Sequence, residues 1–499
     1  MLDDYKKDEP KIEEEIQKIE KENKIYKNFK VEDLIAITGA LDFQDGRAFI
    51  AVPVQELIKD RVETQLYLIT SEREKLLFDN RQLLVHKLYA DRQPVLIPRW
   101  QSADWDKFLQ GAVADSLLNT YEKIVKQLEL YLDCGNFVWL KVLAVWIIGT
   151  YFHRLFPTYP YLHLNGNMGS GKTKCLTIIA ALSFNGELSI NNTPAYMIRV
   201  IHNNSATCCI DEVEKLNHAK DEDSKTVLAM LNAGYKRGSF SGKAEQIGQG
   251  KNWTTRRFEA YSPKVLAGIQ NLNSTLNSRC LPIVMVKSNN RAIVNSEVNE
   301  QDLVWTEIRN ELHRAALTFY KGITSHYTCL IDDELLGRPW ELWKPIFAIA
   351  QTIGQELYLE IRNFALEIER QKKEVENDTL TAPVLLEALK DLLSQNKVDE
   401  GWYPTAEIYK HLESYDEETF GWLKDDKNKS KRGKWLGSEL RRAGIVKGKA
   451  QQKKVEGANT KGYCFKATDI GERLKSFGLY QEPDKNLGQA DEKVPDIPF

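Results

Sequence analysis

What this 499-residue sequence lacks narrows its reading first. No stretch reaches the roughly 18 uninterrupted apolar residues of a membrane-spanning helix. The most apolar run, FVWLKVLAVWIIGTYF, contains Lys141 and is followed by His153 and Arg154, so a buried helix is expected there. The seven cysteines (134, 175, 208, 209, 280, 329 and 464) form no Cys-x-x-Cys pair, and no histidine-rich spacing accompanies them. That argues against a zinc site and suits a reducing compartment. The net charge of −3 gives no overall bias towards nucleic acid, so any basic site must be local. The opening MLDDYKKDEPKIEEE has no apolar signal region, and no internal repeat is visible. The expectation is a cytoplasmic protein without a membrane association.

What is present is enough apolar content, 42% of residues, to build real cores, over a length that suits two to four domains. Residues 1–30 are dense in Glu and Lys, with Ile12, Ile16, Ile19, Asn23 and Tyr26 in a heptad-like stripe; they read as a charged helical segment. Residues 31–103 carry short strand patterns (RAFIAVPV, TQLYLIT, KLLFD, PVLIPRW) and read as a small mixed α+β domain. Residues 104–158 return to helical periodicity. Strands and helices then alternate over 159–290: YPYLHLNG, SATCCIDE, KVLAGI and LPIVMV are the expected strands. Such alternation implies a parallel sheet wrapped by helices. Residues 291–375 read as all-helical, 380–480 as helices followed by a basic hairpin, and 481–499 as a disordered tail.

The strongest signal is GNMGSGKT: Gly166, Asn167, Met168, Gly169, Ser170, Gly171, Lys172 and Thr173. It matches G-x-x-x-x-G-K-[ST] between an expected strand and an expected helix. Glycines let consecutive backbone N–H groups turn inward around a β-phosphate, Lys172 reaches the β- and γ-phosphates, and Thr173 offers its hydroxyl to Mg²⁺. The helix that starts there points its positive end at the anion. Such a site needs carboxylates on a second strand beside the cradle. TCCIDE supplies them about 40 residues on: Asp211 for the Mg²⁺ shell and Glu212 to orient and polarise the attacking water. Cys208 and Cys209 before them read as core filler.

In its order of motifs the chain resembles the AAA+ class of ring-forming ATPases, and within it the helicase-like domains of phage, plasmid and other mobile-element replication proteins. The residues that carry the resemblance are WIIGTYFHRLFPTYPYLHLNGNMGSGKT, LNAGYKRGSFSGKAE, FEAYSPKVLAGI, TLNSRCLPIVM and GRPWELWKPIFAIA, over roughly residues 145–350. No primase zinc or carboxylate signature accompanies them. The resemblance implies ATP and Mg²⁺ as cofactors and a homo-hexameric ring with the site at subunit interfaces. It assigns the γ-phosphate sensor after the third strand to Gln270, with Asn271 as the alternative. It makes Arg338 of GRPWE an arginine that reaches the γ-phosphate from the lid. Arg279 of TLNSRC becomes the finger supplied to the neighbouring subunit, a surface arginine being the other reading.

Between the Asp-Glu strand and the third strand lies GYKRGSFSGKAEQIGQGKNWTTRRFEAY, strand-like pieces around a Gly-rich tip. It reads as a β-hairpin, which the resemblance would put in a ring's pore. There Lys251 would contact a phosphate and Trp253 would stack on a base or sugar, with Lys236, Arg237, Lys243, Arg256 and Arg257 at the base. A solvated surface hairpin is the alternative. Lys424 to Lys466 carry 14 Lys and Arg against 4 Asp and Glu, with Trp435 and Tyr463 interleaved. Helices followed by a hairpin are the winged-helix plan. Lys434, Arg441 and Arg442 on the last helix and Lys453 and Lys454 on the wing would meet DNA phosphates, although winged helices also dock proteins.

The expected fold class is therefore α/β: an AAA+ P-loop ATPase core at 159–290, a helical lid at 291–375, a small mixed α+β N-terminal domain and a C-terminal winged helix at 380–480. The expected function is an ATP-dependent DNA helicase or translocase. The alternative is a DNA-binding, NTP-dependent switch, loader or defence-associated ATPase that does not unwind.

Overall fold

The structure, a computed structural model, describes residues 34–58, 60–189, 193–214, 222–246, 253–269, 272–379, 381–424, 429–446, 448, 450–455 and 457–476. The charged segment 1–30, the tail 481–499, Lys251, Gln270 and Asn271 lie outside them. The chain divides into two compact units, Met1–Leu366 and Glu367–Phe499.

In the first unit, β1 (Ile35–Ile37), β2 (Leu41–Gln44), β3 (Arg47–Ile58), β4 (Arg61–Thr70), β5 (Lys75–Leu77) and β6 (Leu88–Ala90) come first. β2 to β5 form an antiparallel meander, and β1 pairs with β6 in parallel. β3 is buried without a break from Ala48 to Val52; Phe49 and Ala51 meet Leu68 in the core on one face, while Ala48, Ile50 and Val52 are covered on the other. The Trp-rich helix Val138–Gly149 is buried nearly all round, as a run apolar on every side requires.

The central sheet follows: β7 (Tyr161–Asn165), β8 (Glu187–Ser189), β9 (Cys208–Ile210), β12 (Lys264–Gly268) and β13 (Cys280–Val284), with β10 (Phe240–Gln246) and β11 (Trp253–Glu259) as an antiparallel pair outside it. Its order is β13-β7-β12-β9-β8, all parallel. The four strands expected from sequence are there. β8 is a fifth, and the helix Pro194–Asn204, capped by the Thr193 side chain, was also unforeseen. Because every strand runs the same way, Asn165, Ile210, Gly268 and Val284 end on one edge of the sheet, while Tyr161, Lys264 and Cys280 begin on the other. The helices Leu303–Cys329, Arg338–Ile353 and Gln355–Thr379 come next; the last runs past the expected boundary at 375.

The second unit contains the helices Thr381–Gln395, Thr405–Tyr415 and Lys429–Arg442, a three-stranded sheet and the closing helix Ala467–Ser476. The sheet order is β14-β16-β15, antiparallel, from β14 (Glu400–Pro404), β15 (Gln451–Val455) and β16 (Ala458–Lys466). Leu389, Ile408, Leu412, Leu436, Leu440 and Phe465 meet in its core. The expected hairpin is β15–β16; β14 is a third strand that the sequence did not announce.

Candidate nucleotide site

At the finishing edge of the sheet, the loop after β7 wraps from Gly166 into the helix Lys172–Leu182. The two glycines at its ends are demanded by geometry. A Cβ on Gly166 would stand 2.3 Å from the Met285 carbonyl oxygen and 2.7 Å from Ser170 Oγ. Gly171 precedes the helix at φ 89°, in the left-handed region, and carries no side-chain cap. The first-turn N–H groups, which a capping Ser or Asp would otherwise occupy, are thus directed into the cavity. Lys172 Nζ donates to the carbonyls of Gly166 (2.6 Å) and Asn167 (3.0 Å), which holds the ammonium over the loop.

Asp211 follows directly on β9. Its Oδ2 accepts a hydrogen bond from Thr173 Oγ1 at 3.1 Å, and its Oδ1 accepts from Glu212 N at 2.9 Å. The hydroxyl and carboxylate expected to share a cation are therefore in contact across 38 residues of sequence. Glu212 is exposed and has φ 56°. A non-glycine residue held in that region costs on the order of 1 kcal/mol or more, a conformation that clusters at functional sites.

These groups line one cavity of about 480 Å³. Met168 to Lys174, Asp211 and Glu212 form its polar side; Leu132, Met285, Val286, Ile293 and Val294 form an apolar wall. Lys174 Nζ donates to Ile293 O (2.8 Å) and to Ser296 Oγ (3.1 Å), which ties the wall to the helix below the loop. A nucleoside triphosphate with its cation fits this chemistry: backbone donors and an ammonium for phosphate, a hydroxyl–carboxylate pair for a divalent ion, an apolar slot for a base.

Sequence reasoning missed Glu214. It lines the same cavity and packs over Gly268 at the end of β12, and its Oε2 is shielded from solvent without a hydrogen-bond partner. The signal was available: two residues after Glu212 in a chain turning away from a strand, a third carboxylate returns to the same side.

Arg279 and Arg338 are brought together, but not here. Arg279 precedes β13 at the starting edge of the sheet, where its carbonyl accepts from Tyr161 N. Its guanidinium lies 5.0 Å from the Tyr235 ring centroid, and that of Arg338 lies 4.7 Å from the same ring. Arg279 Nη1 also donates to the Thr275 carbonyl, while its buried Nε has no partner. Arg338 pairs with Glu341 at 2.9 Å. Arg338 thus lies at the edge of the sheet away from the cradle of its own chain. The helix Arg338–Ile353 buries Leu342, Trp343, Ile346 and Phe347, and Thr158 Oγ1 just before β7 donates to the Glu341 carbonyl at 2.8 Å. Those contacts hold the start of the helix at the edge opposite the cradle.

The remaining candidates fall as follows. β10 and β11 pair from Phe240–Glu259 to Gln246–Trp253, so the hairpin exists; its tip with Lys251 is outside the described residues. Trp253 ends the paired ladder on β11. Lys236 is exposed at the hairpin's foot, and Arg237 is half-buried, donating to the Arg154 carbonyl at 2.8 Å. In the second unit Lys434 and Arg441 are exposed on the helix Lys429–Arg442, on one stripe with Lys431 and Ser438. Arg442 ends that helix. Lys453 and Lys454 are exposed on β15, with Lys453 Nζ 5.1 Å from the Trp402 ring centroid. Among the described residues no helix is long and apolar enough to cross a membrane.

Residues 288–474 match DUF3631, a family of proteins of unknown function. Among curated proteins none matches the chain. Solved structures similar to it include a helicase and a DNA-bound complex. The active helicase SCCmec type IV Cch is 13% identical, with 89% of this chain and 81% of that one covered and a TM-score of 0.35. The apo A form of the NrS-1 C-terminal region is 11% identical, covering 80% and 93%, with a TM-score of 0.34. Drosophila ORC bound to DNA is 11% identical, covering 77% and 89%, with a TM-score of 0.17. These scores lie below those of a shared overall fold, so the functional reading rests on the chain's own residues.

Proposed function

We propose that this chain is an ATP-hydrolysing motor of the AAA+ type that assembles as a ring and translocates on DNA, as a helicase or helicase-like translocase of a mobile element. The observation that carries the reading is the Thr173–Asp211 hydrogen bond inside the cavity that Lys172 and the loop N–H groups enclose. The loop amides hold the β-phosphate, and Lys172 exchanges its carbonyl partners for β- and γ-oxygens. Thr173 and Asp211 would hold Mg²⁺, which would supply positive charge for the phosphate oxygens. Glu212, exposed at the cavity's rim, orients and polarises the attacking water. β12 lies between the cradle strand β7 and the Asp211 strand β9. The resemblance assigns the γ-phosphate sensor after β12 to Gln270, with Asn271 as the alternative; both lie outside the described residues.

The two arginines support the ring. Arg279 and Arg338 share Tyr235 on the edge away from their own cradle, so they act as a pair on the cradle of a neighbour. A head-to-tail interface of that kind gives a ring where its rotation closes, and a hexamer is the ring that the resemblance implies. The DNA reading is supported by the β10–β11 hairpin and by the second unit. Its order of helix, strand, further helices and hairpin supports a winged helix, and it exposes Lys434, Arg441, Lys453 and Lys454.

Mg²⁺-dependent ATP hydrolysis by the full chain, compared with Lys172→Ala and Asp211→Asn, tests the site. The variants should lose hydrolysis by at least about a hundredfold. Hydrolysis unchanged in both variants would remove the cradle from the mechanism. A strand-displacement assay then separates the motor from the loader or switch, which would hydrolyse ATP without separating a duplex.

A further inference from the structure

A second cavity, of about 410 Å³, opens at the foot of the β10–β11 hairpin. Three arginines (Arg92, Arg154 and Arg237) and one carboxylate (Glu259) line it, with Pro157 and Phe240 beside them. They come from four separate parts of the chain. Nothing in the nucleotide chemistry uses them.

The carboxylate is already committed. Glu259 Oε2 accepts from Arg92 Nη1 and from Arg154 Nη1, each at 3.1 Å. Every nitrogen of Arg92 is engaged as well: Asp91 takes its Nε and Nη2 at 2.8 and 2.7 Å, and the His202 carbonyl takes Nη1 at 2.7 Å. His202 Nδ1 receives both Arg92 Nη1 and Glu259 N, so it is the unprotonated nitrogen of a neutral ring.

Donors are left over on the other two arginines. Arg154 is 1% exposed, yet among the described residues its Nε and Nη2 have no hydrogen-bond partner. Asp42 Oδ1 stands 3.7 Å from that Nε, beyond hydrogen-bond distance, and its carboxylate already accepts from Thr38 N and Phe43 N. Arg237 spends Nη1 on the Arg154 carbonyl and, among the described residues, faces no carboxylate within ion-pair distance. A buried guanidinium with open donors is costly unless an acceptor meets it. A half-buried second fork on the same wall, beside the exposed Gly238, gives that acceptor a way in.

We propose that this cavity is an oxyanion site for a phosphate group, bound by Arg154 and Arg237 and walled by the fixed Arg92–Glu259 pair. A tetrahedral anion with several acceptor oxygens matches two planar donor forks better than a monovalent halide does. The phosphate belongs either to the backbone of a nucleic-acid strand lying along the hairpin or to a free phosphate or nucleotide. The site stands independently of the motor reading, because none of its residues touches the cradle.

The test uses the full chain with Lys172→Ala, so that the cradle adds little phosphate binding. Inorganic phosphate is titrated at constant ionic strength, with chloride as control, and read by calorimetry and by the shift in Tm. Phosphate should bind saturably and raise Tm where chloride does not. Arg237→Ala should weaken the apparent Kd about tenfold or more, and Arg237→Lys by less, since a point charge replaces part of the fork. Competition by an oligothymidylate assigns the site to a strand; binding of phosphate without competition assigns it to the free anion. Equal responses to phosphate and chloride, or a phosphate affinity indifferent to Arg237→Ala, would overturn the proposal.

Discussion

Replacing Arg279 by alanine isolates the role of the neighbour. Arg279 lies just before β13, whose residues Cys280–Val284 run the whole way to the cradle edge. At about 3.3 Å per residue that separates Arg279 from its own cradle by roughly 15 Å, farther than an arginine side chain reaches. ATP affinity of the variant should therefore be unchanged. Loss of the contact with Tyr235 removes at most about 1 kcal/mol of stability. Hydrolysis should fall by about 10³-fold or more, which corresponds to about 4 kcal/mol of lost transition-state stabilisation. Mixing Arg279→Ala with Lys172→Ala subunits one to one supplies the decisive assay. At a head-to-tail interface a working site needs the cradle of the first variant and the finger of the second, so random assembly restores about a quarter of the interfaces. Steady-state hydrolysis by the mixture should then recover to about a quarter of the unsubstituted rate, far above either variant alone. No recovery, or an Arg279→Ala chain that fails to bind ATP, would refute the reasoning.

Three further outcomes follow from the same contacts. Glu214→Gln removes a shielded, unpartnered carboxylate oxygen beside the cavity, so hydrolysis should fall while Tm holds or rises by a few degrees; a fall in both would make Glu214 structural. Burial lowers the His153 and His313 imidazoles to about 3 from 6.5. Burial pushes the Glu259 carboxyl up, but Arg154 and Arg92 overcome it and hold it at about 2 against an ordinary 4.5. All three folded values lie below the unfolded ones, so the stability these groups contribute is complete above the unfolded values and is lost as pH falls towards the folded ones. The urea midpoint should decline from about pH 6.5 for the histidines and again below about 4.5 for Glu259; a midpoint flat from pH 7 to 4 would contradict this. Lys434→Ala with Arg441→Ala should weaken DNA binding and reduce the salt slope by about one per residue; an unchanged slope would take that helix off the DNA.

The cradle was legible because its residues are contiguous and each has one physical task. The long apolar strands were legible by their runs, whereas β8, only Glu-Leu-Ser, offers no run to read. Asp211 could be placed from a carboxylate following a short apolar strand, and the bond to Thr173 follows once β9 and β7 run in parallel. Arg338 could not be placed. The R-x-x-E spacing says that Arg338 and Glu341 meet, and they do, but which edge of the sheet receives them is decided by how Trp343 and Phe347 pack. The Arg92–Glu259–Arg154 cluster was equally invisible, since its members are 167 and 105 residues apart and only tertiary folding brings them together. Glu214 was readable in principle and was passed over because Asp211 and Glu212 already filled the expected roles.

The proposed motor depends on a cradle that drives work on DNA. The most direct measurement is the steady-state ATP hydrolysis rate of the full chain as single-stranded DNA is titrated in with Mg²⁺. The account predicts a saturable rise in rate that Lys172→Ala abolishes. A rate that is measurable, sensitive to Lys172→Ala and indifferent to DNA at every concentration would contradict it.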